Sequence, residues 1–159
     1  MLAMLPPDEQ DRQAAVDRSR YVRLRGNYDL DRIVQFLARS YDAPLAALSI
    51  IDRMRQVLVS REGIDVDFTP RDEAFCAVAI HKPGETLLVA DAQKDARFRE
   101  YRPVLHDPHI RFYAGKPILS HDGYALGALC IADVVPRSAK FDATQLSMMA
   151  SEVERLLWR

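Results

Sequence analysis

The chain has 159 residues, with 22 lysines and arginines against 23 aspartates and glutamates, for a formal charge of -1. That balance excludes a broad basic surface for nucleic acid or an anionic membrane, and the length suits one domain with a sizeable core. The opening MLAMLPPDEQ has no basic segment ahead of its short apolar run, and the longest apolar stretch, Ala43 to Ile51, is broken by Pro44 and Ser49 and is far short of a membrane span.

Asp8 to Leu24, after Pro6 and Pro7, reads as a charged helix with sparse apolar positions (Ala15, Val22, Leu24). So polar a helix is expected to gain little from its own domain and to fray or pair with another chain. Gly26-Asn27 breaks it. Leu30 to Tyr41 carries Leu30, Ile33, Val34, Leu37 and Tyr41 on one stripe, with Asp29 as the expected cap and Pro44 as the stop. Leu45 to Ile51 and Gln56 to Arg61 then read as two strands joined by a turn at Asp52 to Arg55. Thr69-Pro70-Arg71-Asp72 predicts a short helix, capped by Thr69, that turns Phe75, Cys76, Ala79 and Ile80 inward and stops at Lys82-Pro83-Gly84.

Thr86 to Ala90 is a further strand. Residues 91 to 108 form a long connection with one helical turn near Ala96 to Tyr101. Phe98, Tyr101, Val104 and Leu105 are too apolar for an open loop and must cover something. Two strands follow, Ile110 to Ile118 and Tyr124 to Ala132, joined through Ser120-His121-Asp122-Gly123, where Asp-Gly supplies the turn. In the second of them Leu126, Ala128 and Cys130 are expected on one face and Leu129 and Ile131 on the other, so it is covered on both sides. In the first, Ile110, Phe112 and Ala114 share a face, while Arg111 and Tyr113 share the opposite one beside Gly115. A guanidinium and a phenol there require partners. Either an internal carboxylate holds Arg111, or Arg111 and Tyr113 are the polar handles of a ligand pocket. The chain closes on a helix from Asp142, with Asp142 and Gln145 in a capping-box pattern and Phe141 set to staple onto Leu146. Leu146, Met149, Val153 and Leu156 or Leu157 recur at helical spacing.

Strand pairs joined by short connections, without repeated strand-helix-strand crossovers, predict an α+β fold around a central antiparallel sheet of about five to six strands. Phosphate-binding glycine patterns and serine nucleophile elbows are missing, and Pro108 breaks the register of His106 and His109 as metal ligands, so the residues carry no catalytic or metal constellation. Cys76 and Cys130 show neither a C-x-x-C spacing nor a disulfide framework, which fits reduced thiols in a cytoplasmic protein.

The strand Ile110-Arg-Phe-Tyr-Ala-Gly-Lys-Pro117, followed by Gly123 to Asp133 with its L-G-x-L-C-I-x-D pattern, resembles the GAF family of sensory domains. Asp72 to Ile80 and Val89 to Phe98 extend the resemblance, which covers residues 28 to 158. It implies a PAS-like architecture, with terminal helices on one face of the sheet and a short helix plus long loop roofing a pocket on the other. Phe75, Cys76, Phe98, Tyr101, Arg111, Tyr113 and Cys130 would line that pocket. The implied role is a non-enzymatic cytoplasmic sensor that binds a small molecule, or relays a conformational signal, to a histidine kinase or cyclic-dinucleotide output domain. The alternative is a ligand-free dimerisation module. One branch of the family, the free methionine sulfoxide reductases, depends on several cysteines whose arrangement is not apparent here. Cys76 and Cys130 are followed by Ala77 and Ile131 and not by histidine, so no bilin attachment signature is present, nor one for haem, and the cofactor stays unassigned. Residues 1-26 are read as a polar helical linker or dimer element and residues 27-159 as the domain proper. A homodimer through the terminal helices is expected, and the apolar ending Leu157-Trp158-Arg159 suggests that chains of this kind continue or pair there.

Overall fold

The computed structural model describes residues 4-159, so the apolar start of the expected linker, residues 1-3, lies outside the described residues. Six strands form one antiparallel sheet: β1 (Leu45–Asp52), β2 (Arg55–Glu62), β3 (Phe68–Pro70), β4 (Leu87–Val89), β5 (Phe112–Leu119) and β6 (Ala125–Asp133), in the spatial order β3-β2-β1-β6-β5-β4. The hairpin strands β5 and β6 pair along their whole length, and β1 docks on the free side of β6. The two edges are strands of three residues each, too short to template further pairing. No helix among the described residues is long and apolar enough to cross a membrane.

Helices α2 (Tyr28–Ser40) and α5 (Thr144–Leu157) cover one face. Leu30, Val34 and Leu37 of α2 and Leu146, Val153 and Leu157 of α5 close over Leu48, Ile50, Phe112, Ala114, Ile118, Leu129 and Ile131. At about 1.5–3 kcal/mol per fully buried large side chain, this layer dominates the stability. Leu126 belongs to it too, contrary to the strict alternation expected of β6. The register slips between Ile118 and Leu119, and Leu126 is the extra residue of a bulge that turns it to the helix side. Ala125, Ala128 and Cys130 face the opposite layer.

Three local expectations change. Asn27, not Asp29, caps α2, its side chain accepting from Leu30 N at 2.9 Å. Thr69 and Pro70 start no helix but pair with Gln56 and Arg55 as the edge strand β3, where a proline without an N–H is tolerated. The helix that follows, α3 (Cys76–Ala79), begins only after a 3-10 turn at Arg71–Glu73. The pattern at Asp142 and Gln145 does not close as a capping box either. Asp142 Oδ1 accepts from Thr144, Gln145 meets Ser40, and Leu146 N donates to the Tyr41 hydroxyl at 3.1 Å.

The N-terminal helix α1 (Glu9–Ser19) departs furthest from expectation. It lies against its own sheet, with Ala15 and Val16 in the helix-side core and Arg12 only 1% exposed. Arg12 donates to the carbonyls of Ile51 at 2.9 Å, Ala125 at 3.2 Å and Leu126 at 3.3 Å, at the ends of β1 and β6. Gln13 adds bonds to Asp52 and to Arg53 N. Polar side chains thus dock a helix that has little apolar surface.

Candidate functional site

On the face away from α2 and α5, the sheet presents Ala128 and Cys130 of β6 and Tyr113 of β5 toward α3 and the long connection. That connection is built from a 3-10 turn at Ala92–Lys94 and the short helix α4 (Arg102–Leu105). Small residues on the strands leave space that aromatic rings fill. Phe75 stacks on Phe98 at 4.6 Å and on Tyr113 at 5.0 Å, and meets Tyr101 edge-on at 5.8 Å. Tyr101 also stands edge-on to Phe98 at 5.2 Å. Such pairs add about 0.5–1.5 kcal/mol each beyond their burial.

Gly115 makes the arrangement possible. The Tyr113 ring lies across it, and any Cβ there would run into the ring and hydroxyl. So placed, the hydroxyl reaches Cys76 Sγ at 3.0 Å. Burial first, then the neighbouring thiols, hold the Tyr113 phenol well above its ordinary range, so it stays protonated. The adjacent Cys76 and then burial push the Cys130 thiol up as well. Tyr101, raised by burial and by Asp72, is also neutral.

Of the seven residues expected from the sequence, six gather in the layer between sheet and roof and Arg111 stands at its margin. Phe75, Cys76, Phe98, Tyr101 and Tyr113 form one connected aromatic–thiol cluster. Cys130 lies opposite Gly115 in the β5–β6 register and is partly exposed. Arg111 precedes β5, and its Nη1 donates to the carbonyls of Val104 and Ile110, both at 3.0 Å. Neither partner is the internal carboxylate weighed above. Ile110 packs with the aromatic–thiol layer and not beside Phe112. Two open clefts of about 300 and 400 Å³ lie elsewhere, one at Ile33, Phe36 and Met149 and the other at Arg25, Ser60 and Arg61. Among the described residues no group of three or more His, Cys, Asp or Glu is placed to hold a metal ion.

Sequence reasoning passed over a charged cluster beside this site. Glu9 of α1 bonds Arg71 Nη1 at 2.8 Å and Nη2 at 2.9 Å, and Arg12 Nε at 2.9 Å. Burial would raise the Glu9 pKa, but the two guanidinium groups outweigh it and lower it from 4.5 to about 2. The available signal was the spacing Arg12, Ala15, Val16, Ser19, a small-residue stripe with an arginine in it.

A six-stranded antiparallel sheet with helices on one face and a roofed aromatic cluster on the other defines an α+β domain of the sensory type. The family model of the GAF domain matches residues 29–156, and the chain belongs to that family. A curated relative, a cyclic di-GMP phosphodiesterase of Pseudomonas aeruginosa, is 38% identical over 147 residues; the match takes in 91% of this chain and 25% of that protein. The chain therefore spans about a quarter of the length of that relative. Among solved structures, the GAF domain of an Acinetobacter phosphoenolpyruvate-protein phosphotransferase aligns with a TM-score of 0.65 at 14% identity, over 93% of both chains. A free methionine-R-sulfoxide reductase from Neisseria meningitidis aligns with a TM-score of 0.63 at 20% identity, over 94% of this chain and 84% of its own. These two likenesses concern the fold alone.

Proposed function

We propose that this chain is a regulatory module that takes a small cytoplasmic molecule into the aromatic–thiol site and biases a cyclic-dinucleotide output domain. The observation that carries the reading is the layer of Phe75, Cys76, Phe98, Tyr101 and Tyr113 between sheet and roof, opposite the terminal helices. The rings fill this layer against one another, so a small, partly apolar guest enters by parting them. Cys130 of β6 packs against the same layer from the sheet side. At the margin, among the described residues, only Nη1 of Arg111 is engaged, so its remaining N–H groups suit an acidic or phosphate-bearing end of the guest.

The output follows from the Pseudomonas aeruginosa relative, of which the matched part is a quarter. In our reading the phosphodiester chemistry belongs to the rest of such a protein, and this module has no catalytic role. The test replaces the matching segment of that phosphodiesterase with this chain and follows hydrolysis of cyclic di-GMP. The expected result is a chimera whose rate shifts when Phe75→Ala or Arg111→Ala is introduced. A rate indifferent to both, in folded chimeras, removes the site from the account.

A second reading, a dimerisation module without ligand, is favoured by exposed apolar residues on the terminal helices. Phe36 of α2 is 45% exposed and Met148 of α5 is 59% exposed. Sedimentation of the wild type and of Phe36→Glu separates the readings. A dimer lost on substitution, together with a site indifferent to Phe75→Ala, leaves only the structural role.

A further inference from the structure

We infer that the N-terminal helix α1 is coupled to the aromatic–thiol site through the Glu9 carboxylate, so that undocking α1 opens the segment from Arg71 to Ile80. The coupling does not depend on whether a small molecule occupies the site.

Two buried guanidinium groups share one carboxylate where α1 meets the wall. Arg12 and Arg71 are 1% and 2% exposed, and Glu9 is the carboxylate that bonds both. Arg71 Nη1 has a second acceptor in the Arg53 carbonyl at 2.8 Å, while Arg71 Nε is buried without a partner. Arg12 is held by three sheet carbonyls and by Glu9, all within reach of α1 as it is docked. When α1 leaves, Arg12 goes with it into water, while Arg71 loses its Glu9 carboxylate and keeps the Arg53 carbonyl. Removing one partner of a buried pair leaves a charge that the interior does not tolerate, so Arg71 must move toward solvent.

Arg71 is joined to the wall of the site through its backbone. Its carbonyl accepts from Ala74 N at 3.1 Å, and Ala74 in turn accepts from Ala77 N at 3.1 Å. Phe75 accepts from Val78 N and Ala79 N, and Cys76 from Ile80 N. This unbroken series of short-range bonds runs from the 3-10 turn into α3, and it carries the Phe75 ring and the Cys76 thiol. The structure thus contains two docked elements, α1 and the wall of the site, joined through the Glu9–Arg71 ion pair. Coupling of this kind is reciprocal, so a displaced wall also weakens α1 docking.

Cys76 is 1% exposed, which makes its thiol a reporter for opening of the wall. The experiment measures alkylation of Cys76 by iodoacetamide in the full chain, with peptide mass spectrometry separating it from Cys130. Glu9→Gln is compared with Val153→Ala, a core substitution in α5 far along the chain, at urea concentrations giving the two equal global stability. Labelling of Cys76 about tenfold faster in Glu9→Gln is expected, because its wall opens without global unfolding. Equal rates at matched stability overturn the proposal. Adding Arg71→Met to Glu9→Gln removes the stranded charge and should return the rate toward that of the wild type. A double variant as fast as Glu9→Gln also overturns it. Should Glu9→Gln fail to fold, Glu9→Asp keeps the charge but shortens its reach. A Cys76 rate in that variant unchanged from wild type counts against the coupling, and a faster one supports it.

Discussion

The Tyr113 ring lies flat over Gly115, two residues along the same strand, and closes the space that any other residue at 115 would fill. A Cβ at Gly115 would lie 2.8 Å from Tyr113 Cε1 and nearer still to the hydroxyl end of the ring. Ring position, the bond to Cys76 and the stack on Phe75 therefore hang on one missing side chain. Gly115→Ala should cost about 1–3 kcal/mol in urea unfolding, the range for overpacking a filled interior. In a Tyr113→Leu background the same substitution should cost less, because the collision is gone. Additive losses would mean that the ring and the glycine are independent.

The Glu9 pair predicts an acid limb in the stability profile. The folded-state pKa, at about 2, is below the ordinary 4.5. A depressed carboxylate contributes stability that is full above the unfolded value and is lost as pH falls through the folded one. Between pH 4.5 and 2 the wild type should lose stability that Glu9→Gln, already lacking it, does not. Urea midpoints across that window, compared between the two proteins, give the measurement. Parallel profiles would show that Glu9 is held no differently in the folded chain.

What the sequence made legible was whatever follows from periodicity and turn chemistry. The stripe Leu30, Val34, Leu37 and the stripe Leu146, Val153, Leu157 land in the helix-side core as read. The Asp122-Gly123 turn joins β5 to β6 as expected, with Gly123 at φ +89. Legibility failed where one residue changes the register or where polar atoms carry the packing. Leu126 moved to the other face because a bulge adds a residue that no alternation pattern reveals. α1 looked detached because Arg12 counts as solvent-facing in any pattern, yet its N–H groups satisfy carbonyls at the ends of two strands that are far away in sequence. For the candidate site, residue types were legible and partners were not. Phe75, Phe98 and Tyr113 come together from three separate segments, and Arg111 found backbone carbonyls where an acid or a guest was expected.

The start of α5 offers a direct test of long-range capping. The Tyr41 hydroxyl donates to the Asp142 carbonyl at 2.8 Å and accepts from Leu146 N at 3.1 Å, tying the end of α2 to the first turn of α5. Its ring packs against Phe141 in a tilted arrangement, centroids 4.9 Å apart, and would do so without the oxygen. Tyr41→Phe should therefore cost about 1–2 kcal/mol, the net value of two hydrogen bonds, with the ring packing intact. Asp142→Ala removes only the local bonds to Thr144 and should cost less. The reverse ranking in urea unfolding would restore Asp142 as the principal cap.

Arg111 ties the roof to the sheet through both its side chain and its backbone. Nη1 holds the Val104 carbonyl of α4, Arg111 N donates to Asp133 O at 2.8 Å, and its own carbonyl accepts from Ala92 N at 2.6 Å. Arg111→Ala leaves the backbone bonds and removes the side-chain ones, so the sheet should persist while the α4 end of the roof loosens. Amide exchange at 104–110 should accelerate by about tenfold, a local opening, while β5 and β6 amides keep their protection. Arg111→Lys keeps the charge on one nitrogen but on a differently shaped stem that holds the two carbonyls less well, and it should fall between the two. Uniformly faster exchange across the whole chain would instead make Arg111 a support of global stability, and its place at the margin of the site would then say nothing about a guest.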